Sequence, residues 1–141
     1  MKKIFISSDH AGFKLKESIK EYLNNKKVKF EDLGPKDDSR VDYPDYAHKV
    51  AKKVKLNKRN FGILVCGSGT GMNIAANKHK NVRAAQCFNL KSTKLSRLHN
   101  DANIITLGSR LISKKNALKF ISVFLNTKFD GGRHLKRVKK I

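Results

Sequence analysis

The sequence predicts an α/β protein whose five parallel strands form a doubly wound, Rossmann-like sheet between two helical layers. Three observations carry this expectation. Short apolar runs alternate with amphipathic stretches in the order βαβαβαβαβα, the pattern of a parallel sheet covered by helices. The 141 residues suit one domain, residues 1–141, that buries roughly 68% of its unfolded surface without staples. Hydrophobic residues at 39% and charged residues at 30% make a globular balance.

The expected strands are residues 3–7, 27–33, 61–65, 82–86 and 103–107, several of them rich in Ile, Val and Phe. Helical periodicity lies between them. Leu15, Ile19, Tyr22 and Leu23 share a face, as do Tyr46, Ala47, Val50, Ala51 and Val54, and then Ala117, Ile121, Phe124 and Leu125. These stripes are core. Residues 34–44, with Gly-Pro, Asp-Asp-Ser and Tyr-Pro, read as a surface loop ending where Pro44 can start a helix. A short basic tail closes the chain. In such a sheet ligands sit at the C-terminal ends of the strands.

Composition narrows the function. Two cysteines, Cys66 and Cys87, form no CxxC pair, so neither a disulfide framework nor a zinc site is expected, and a reducing compartment is. The apolar opening ends at Ser7, too soon for a signal peptide, and no stretch can span a bilayer; a cytoplasmic protein with no membrane partner is expected. The net charge of +21 has two readings. One is a polyanion partner. The other, which we prefer, is lysine spread over solvated faces (Lys14, Lys16, Lys20, Lys52, Lys53, Lys94, Lys114, Lys119). No basic arm, aromatic platform or nucleic-acid motif accompanies the charge, so nucleic acid is not the expected partner.

The strand-to-helix turns hold the candidate chemistry. Ser8-Asp9-His10-Ala11-Gly12 follows the first strand, and Cys66-Gly67-Ser68-Gly69-Thr70-Gly71 follows the third. First and third strands are commonly neighbours at the switch point, which puts Asp9 and His10 beside Cys66. Three glycines in five residues let backbone N–H groups close on an oxygen, and a helix N-terminus adds its dipole. No Lys-Ser or Lys-Thr closes the loop, so it is not a Walker A motif. Met72 stands where a dinucleotide fingerprint needs its third glycine. The residues alone leave a ligand-free tight turn open. Cys66 reads as a small core residue or, at a helix N-terminus, as a reactive thiolate able to act as base beside donors that hold an enediolate oxygen. Cys87 reads as structural. His99, closing the fourth helix, reads as a surface histidine unless other groups join it. Arg133 and Arg137 stand four apart and, if helical, form a phosphate clamp; the alternative is a frayed terminus.

Ordered blocks then identify a resemblance. The chain resembles the ribose-5-phosphate isomerase B family, which includes the galactose-6-phosphate isomerase subunits. The blocks are Ser8-Asp9-His10-Ala11-Gly12, Asp42-Tyr43-Pro44, Gly62-Ile63-Leu64-Val65-Cys66-Gly67-Ser68-Gly69-Thr70-Gly71, Ala75-Ala76-Asn77-Lys78, Ser96-Arg97-Leu98-His99-Asn100-Asp101-Ala102-Asn103, Gly108-Ser109-Arg110 and Gly132-Arg133-His134. The resemblance implies aldose–ketose isomerisation of a phosphorylated sugar through an enediolate, with no metal or organic cofactor, in a homodimer or homotetramer with a site shared across the dimer interface. It implies Cys66 as the base, His99 as the group that opens the furanose ring, and Ser68 as a proton-shuttling hydroxyl. The backbone of Gly67, Ser68, Gly69, Thr70 and Gly71 becomes the anion hole. Asp9, His10 and Asn100 contact substrate, and Arg110, Arg133 and Arg137 bind its phosphate. One branch of the family replaces the cysteine with a glutamate just after the loop. Met72 holds that position here, so the chain sides with the cysteine branch. Ribose 5-phosphate is the expected substrate, because one chain carries every site residue. A hexose 6-phosphate is the nearest alternative, and a non-catalytic sugar-phosphate sensor is disfavoured by the presence of Cys66 and His99.

Overall fold

The computed structural model describes all 141 residues. Its elements are β1 (Lys3–Ser8), α1 (Phe13–Asn25), β2 (Phe30–Asp32), α2 (Tyr43–Val54), β3 (Asn60–Cys66), α3 (Thr70–Ala76), β4 (Ala84–Gln86), α4 (Leu90–Asn100), β5 (Ile104–Gly108), α5 (Lys114–Asn126) and α6 (Gly132–Val138). All strand pairs are parallel, in the order β2-β1-β3-β5-β4. The expected fold class is therefore observed.

Side chains alternate between two cores, as the pleat requires. Ile4, Ile6, Phe61, Ile63, Val65, Ile105 and Leu107 pack with α1 and α5. Phe5, Leu64, Cys66 and Ile104 face the other way, onto Ala47, Val50 and Ala51 of α2 and Met72 and Ala76 of α3. The central strand β3 is buried throughout, which explains its unbroken apolar run.

The structure corrects the sequence expectations in three places and decides a fourth, the terminus, which the residues left open. β2 spans three residues and not seven, and the turn at Lys27, with φ +56°, keeps the start of the expected run out of the strand. β4 starts at Ala84, since the side chain of Asn103 and backbone bonds tie down Arg83 before it. The basic tail is helical, as α6. Lys16, expected on a solvated face, is completely buried. Its ammonium donates to Asp32 Oδ1 at 2.9 Å and to the Pro35 carbonyl at 2.6 Å, tying α1 to β2 and to the start of the following loop. No helix is long and apolar enough to cross a membrane.

Candidate active site

Strand register levels the site. Ser8 pairs with Val65 and Cys66 pairs with Gly108, so β1, β3 and β5 end together. The chain departs from β1 toward β2 on one side and returns to β3 on the other, which opens a crevice over the C-terminal ends of β1 and β3. A cleft of about 270 Å³ sits there, lined by Asp9, Tyr43, Cys66, Gly67, Ser68, Gly71, Arg110 and Leu111.

Cys66 is 4% exposed, on the floor of this cleft. Its sulfur accepts a hydrogen bond from the Gly69 N–H at 3.2 Å. That contact needs Gly69 at φ +79°, where a Cβ would also stand 3.0 Å from the Leu107 carbonyl carbon. Asp9 is held on the β1 side by its own N–H donating to the Val65 carbonyl at 3.1 Å, while its Oδ1 accepts from Gly12 N–H at 2.9 Å. His10 is beside it, its Nδ1 accepting from Val41 N–H at 3.3 Å, which ties the long loop to the cleft. Ser68 is exposed at the rim. Its carbonyl accepts from Gln86 Nε2 at 2.7 Å, and the Thr70 hydroxyl donates to Gln86 Oε1 at 3.2 Å.

Arg110 reaches the same cleft because β5, and not β4, lies beside β3. Ser109 N–H donates to the Cys66 carbonyl at 2.8 Å and Arg110 N–H to the Gly67 carbonyl at 3.0 Å. A Cβ on Gly67 would meet Arg110 Nη1 at 3.0 Å, so the guanidinium lies against the cradle. One half of the expected site is thus assembled: Asp9, His10, Cys66, Gly67, Ser68, Gly69, Thr70, Gly71 and Arg110.

The other half stands at the opposite, N-terminal end of the strands. His99 and Asn100 end α4 just before β5 begins, and β5 must run from Ile104 to Gly108 before it reaches the level of Cys66. Four residues of strand cover about 13 Å. Arg83 fixes this end, its Nε donating to the Asn100 and Asp101 carbonyls at 3.1 and 3.0 Å. The α6 helix docks alongside: Asp130 N–H donates to the Leu98 carbonyl at 3.1 Å, and His134 stacks on His99 with centroids 4.2 Å apart and planes 13° from parallel. Arg133 and Arg137 are both exposed, four residues apart on α6, as a clamp requires. His134 titrates below the ordinary histidine range: lost hydration against its neighbours comes first, then the positive charge of His99, Arg133 and Arg137. So His99, Asn100, Arg133 and Arg137 form one group, away from their own chain's Cys66.

Comparison with known proteins decides the family. The family described as Ribose/Galactose Isomerase matches residues 4–141. The chain belongs to that family. Within it, the chain is 42% identical over 141 residues to ribose-5-phosphate isomerase B of Escherichia coli, covering 100% of this chain and 95% of the relative. It superposes on the ribose 5-phosphate isomerase of Thermotoga maritima with a TM-score of 0.94 at 49% identity, covering 98% of this chain and 95% of that one. The isomerase B of Mycoplasma genitalium, solved with bound ribulose-5-phosphate, gives a TM-score of 0.94 at 45% identity, over 98% and 92% of the two chains.

Residue-level reading from the sequence missed Tyr43 and Leu111 as walls of the cleft and Gln86 as the brace of the loop. Gly71 was the available signal for Tyr43, since a Cβ there would strike its ring at 2.6 Å. Leu111 and Gln86 depend on strand order and left no sequence signal.

Proposed function

We propose that this isomerase-family protein interconverts D-ribose 5-phosphate and D-ribulose 5-phosphate, with Cys66 as the base and a site completed by a second copy of the chain. The observation that carries the reading is the Cys66 sulfur on the floor of a cleft whose rim is backbone N–H donors and one arginine.

The chemistry follows from the residues. His99 of one copy protonates the ring oxygen as the ring C1–O bond breaks, and the C1 hydroxyl loses its proton to water, leaving the open aldehyde. Cys66 of the other copy, as its thiolate, removes the C2 proton. The electron pair forms the C1–C2 double bond and places negative charge on O1, where the N–H groups of the glycine loop meet it. The Ser68 hydroxyl relays a proton from O2 to O1. Cys66 returns its proton to C1, and the ketose results. Arg110 from one copy and Arg133 and Arg137 from the other enclose the phosphate. Nothing in these steps calls for a metal or an organic cofactor.

The test is isomerisation of ribose 5-phosphate by the purified protein in D₂O, with galactose 6-phosphate in a parallel assay. We expect pentose turnover with solvent deuterium entering the carbon that Cys66 reprotonates. Cys66→Ala should lower kcat on the order of 10²-fold or more with little change in KM. No pentose turnover, faster hexose turnover, or an undiminished Cys66→Ala rate overturns the proposal.

A further inference from the structure

At the N-terminal end of the sheet the mechanism uses His99 but leaves unused the two metal-ligating groups beside it, Asp130 and His134. His99, Asp130 and His134 each offer one ligand atom, and the three atoms lie within 4.8 Å of one another. Backbone bonds hold them together. Asp130 N–H donates to the Leu98 carbonyl at 3.1 Å, which fixes the carboxylate's backbone beside His99. Gly131 and Gly132, at φ +65° and +52°, then reverse the chain, and His134 N–H donates to the Gly131 carbonyl at 3.0 Å. The reversal is what lays His134 over His99.

Two imidazoles and one carboxylate, with the fourth direction open, are the donor set of a three-ligand zinc site. Ligands about 2.0–2.2 Å from a tetrahedral ion stand roughly 3.4 Å apart, so atoms as far apart as 4.8 Å need to close by about 1.4 Å. The stacked rings must also tilt, because imidazole lone pairs lie in the ring plane. His134 sits on a terminal helix of seven residues with no buried side chain, where such a tilt disturbs no core. His48 and His79 also meet, at 2.7 Å between Nδ1 and Nε2, but no third ligand joins them.

We propose that His99, Asp130 and His134 bind a Zn²⁺-type transition-metal ion, and that the bound ion switches the isomerase off by occupying the His99 nitrogen. The ion is an inhibitor and not a cofactor, since it removes a proton carrier from the reaction. Its effect on activity rests on the ring-opening role proposed for His99; its binding does not. Arg133 and Arg137 oppose any cation there, so an ion must gain from nitrogen ligands. Mg²⁺ and Ca²⁺, which take oxygen ligands, are excluded on that ground.

The experiment titrates the chelator-washed full chain with Co²⁺, followed by its visible absorption, and then displaces it with Zn²⁺. We expect one Co²⁺ per chain with the bands of nitrogen and oxygen ligation and no thiolate charge-transfer band. Binding should persist in Cys66→Ala and weaken about tenfold or more in both Asp130→Asn and His134→Gln. Zn²⁺ should inhibit ribose 5-phosphate turnover over the same concentration range, reversibly with EDTA. A thiolate band that vanishes in Cys66→Ala, unchanged affinity in the two ligand variants, or no binding overturns the site. Binding with this signature that leaves turnover intact upholds the site and overturns both the inhibition and the role given to His99.

Discussion

Gly69 and Cys66 act as one unit. The sulfur meets an N–H donor because the chain turns at Gly69 with φ +79°, a conformation that costs an L-residue roughly 1–2 kcal/mol. Gly69→Ala should therefore lower unfolding stability by about that amount, read from urea midpoints at constant m-value. It should also depress kcat more than KM, because in the proposed mechanism the displaced N–H serves the sulfur and the enediolate, not the phosphate. An unchanged kcat would detach the turn from the chemistry. At this scale the sequence was informative. A cysteine closing an apolar run and followed by glycines at alternate positions already marked Cys66 and its loop. Arg110 was different: its place beside Gly67 comes from β5 pairing with β3, a long-range choice that no local pattern encodes.

At the scale of elements, α1, β2 and the loop after β2 are held by a buried lysine. Lys16 bonds Asp32 and the Pro35 carbonyl, and Lys20 adds a second ion pair to Asp32 at 2.7 Å. Burial works to raise the Asp32 carboxyl, but the hydrogen bonds from Lys20, Gly34 and Lys16 outweigh it and hold the group below its usual range. The sign follows. With a native value below the unfolded one, the unfolded chain binds more protons in acid, so the contribution is complete above the ordinary carboxylate value and fades as pH falls through the native one. Asp32→Asn should flatten the acid limb of the stability curve between about pH 5 and pH 2 and leave its slope near neutrality unchanged. A parallel acid limb in the variant would contradict the assignment. Lys16→Met should cost about 1–3 kcal/mol, since it strands the Pro35 carbonyl in the interior. Element order was readable from alternating periodicities, because each amphipathic stripe reports its own burial. The ends were not: the backbone turn at Lys27 keeps the start of the expected run out of β2, and the burial of Lys16 is a partner choice made by the loop at Pro35. A lone lysine at an exposed-looking helix position carries no trace of that.

For the whole molecule, the two ends of the sheet carry the two groups that the proposed mechanism joins across copies. Asp9, Cys66, the glycine loop and Arg110 occupy the C-terminal end of the strands, and His99, Asn100, Arg133 and Arg137 the N-terminal end. A parallel sheet forces the separation, because each helix returns the chain from the C-terminal end of one strand to the N-terminal end of the next. The net charge of +21 draws a phosphorylated substrate toward both ends without specifying either. From the residues alone the half-sites looked like unrelated motifs, since chain order says nothing about which copy faces which. Only family resemblance linked them, and the topology adds that within one chain they lie at opposite ends of the strands.

The most direct test of this account mixes two disabled variants, Cys66→Ala and His99→Asn, by co-refolding at equal amounts. Each alone should be nearly inactive. With sites shared between copies, half of the randomly formed dimers are mixed, and each has one site with both residues intact. We predict recovery of about a quarter of the wild-type activity. No recovery from a mixture shown to contain mixed dimers would mean that Cys66 and His99 of the same chain serve one site, and the divided site would be wrong.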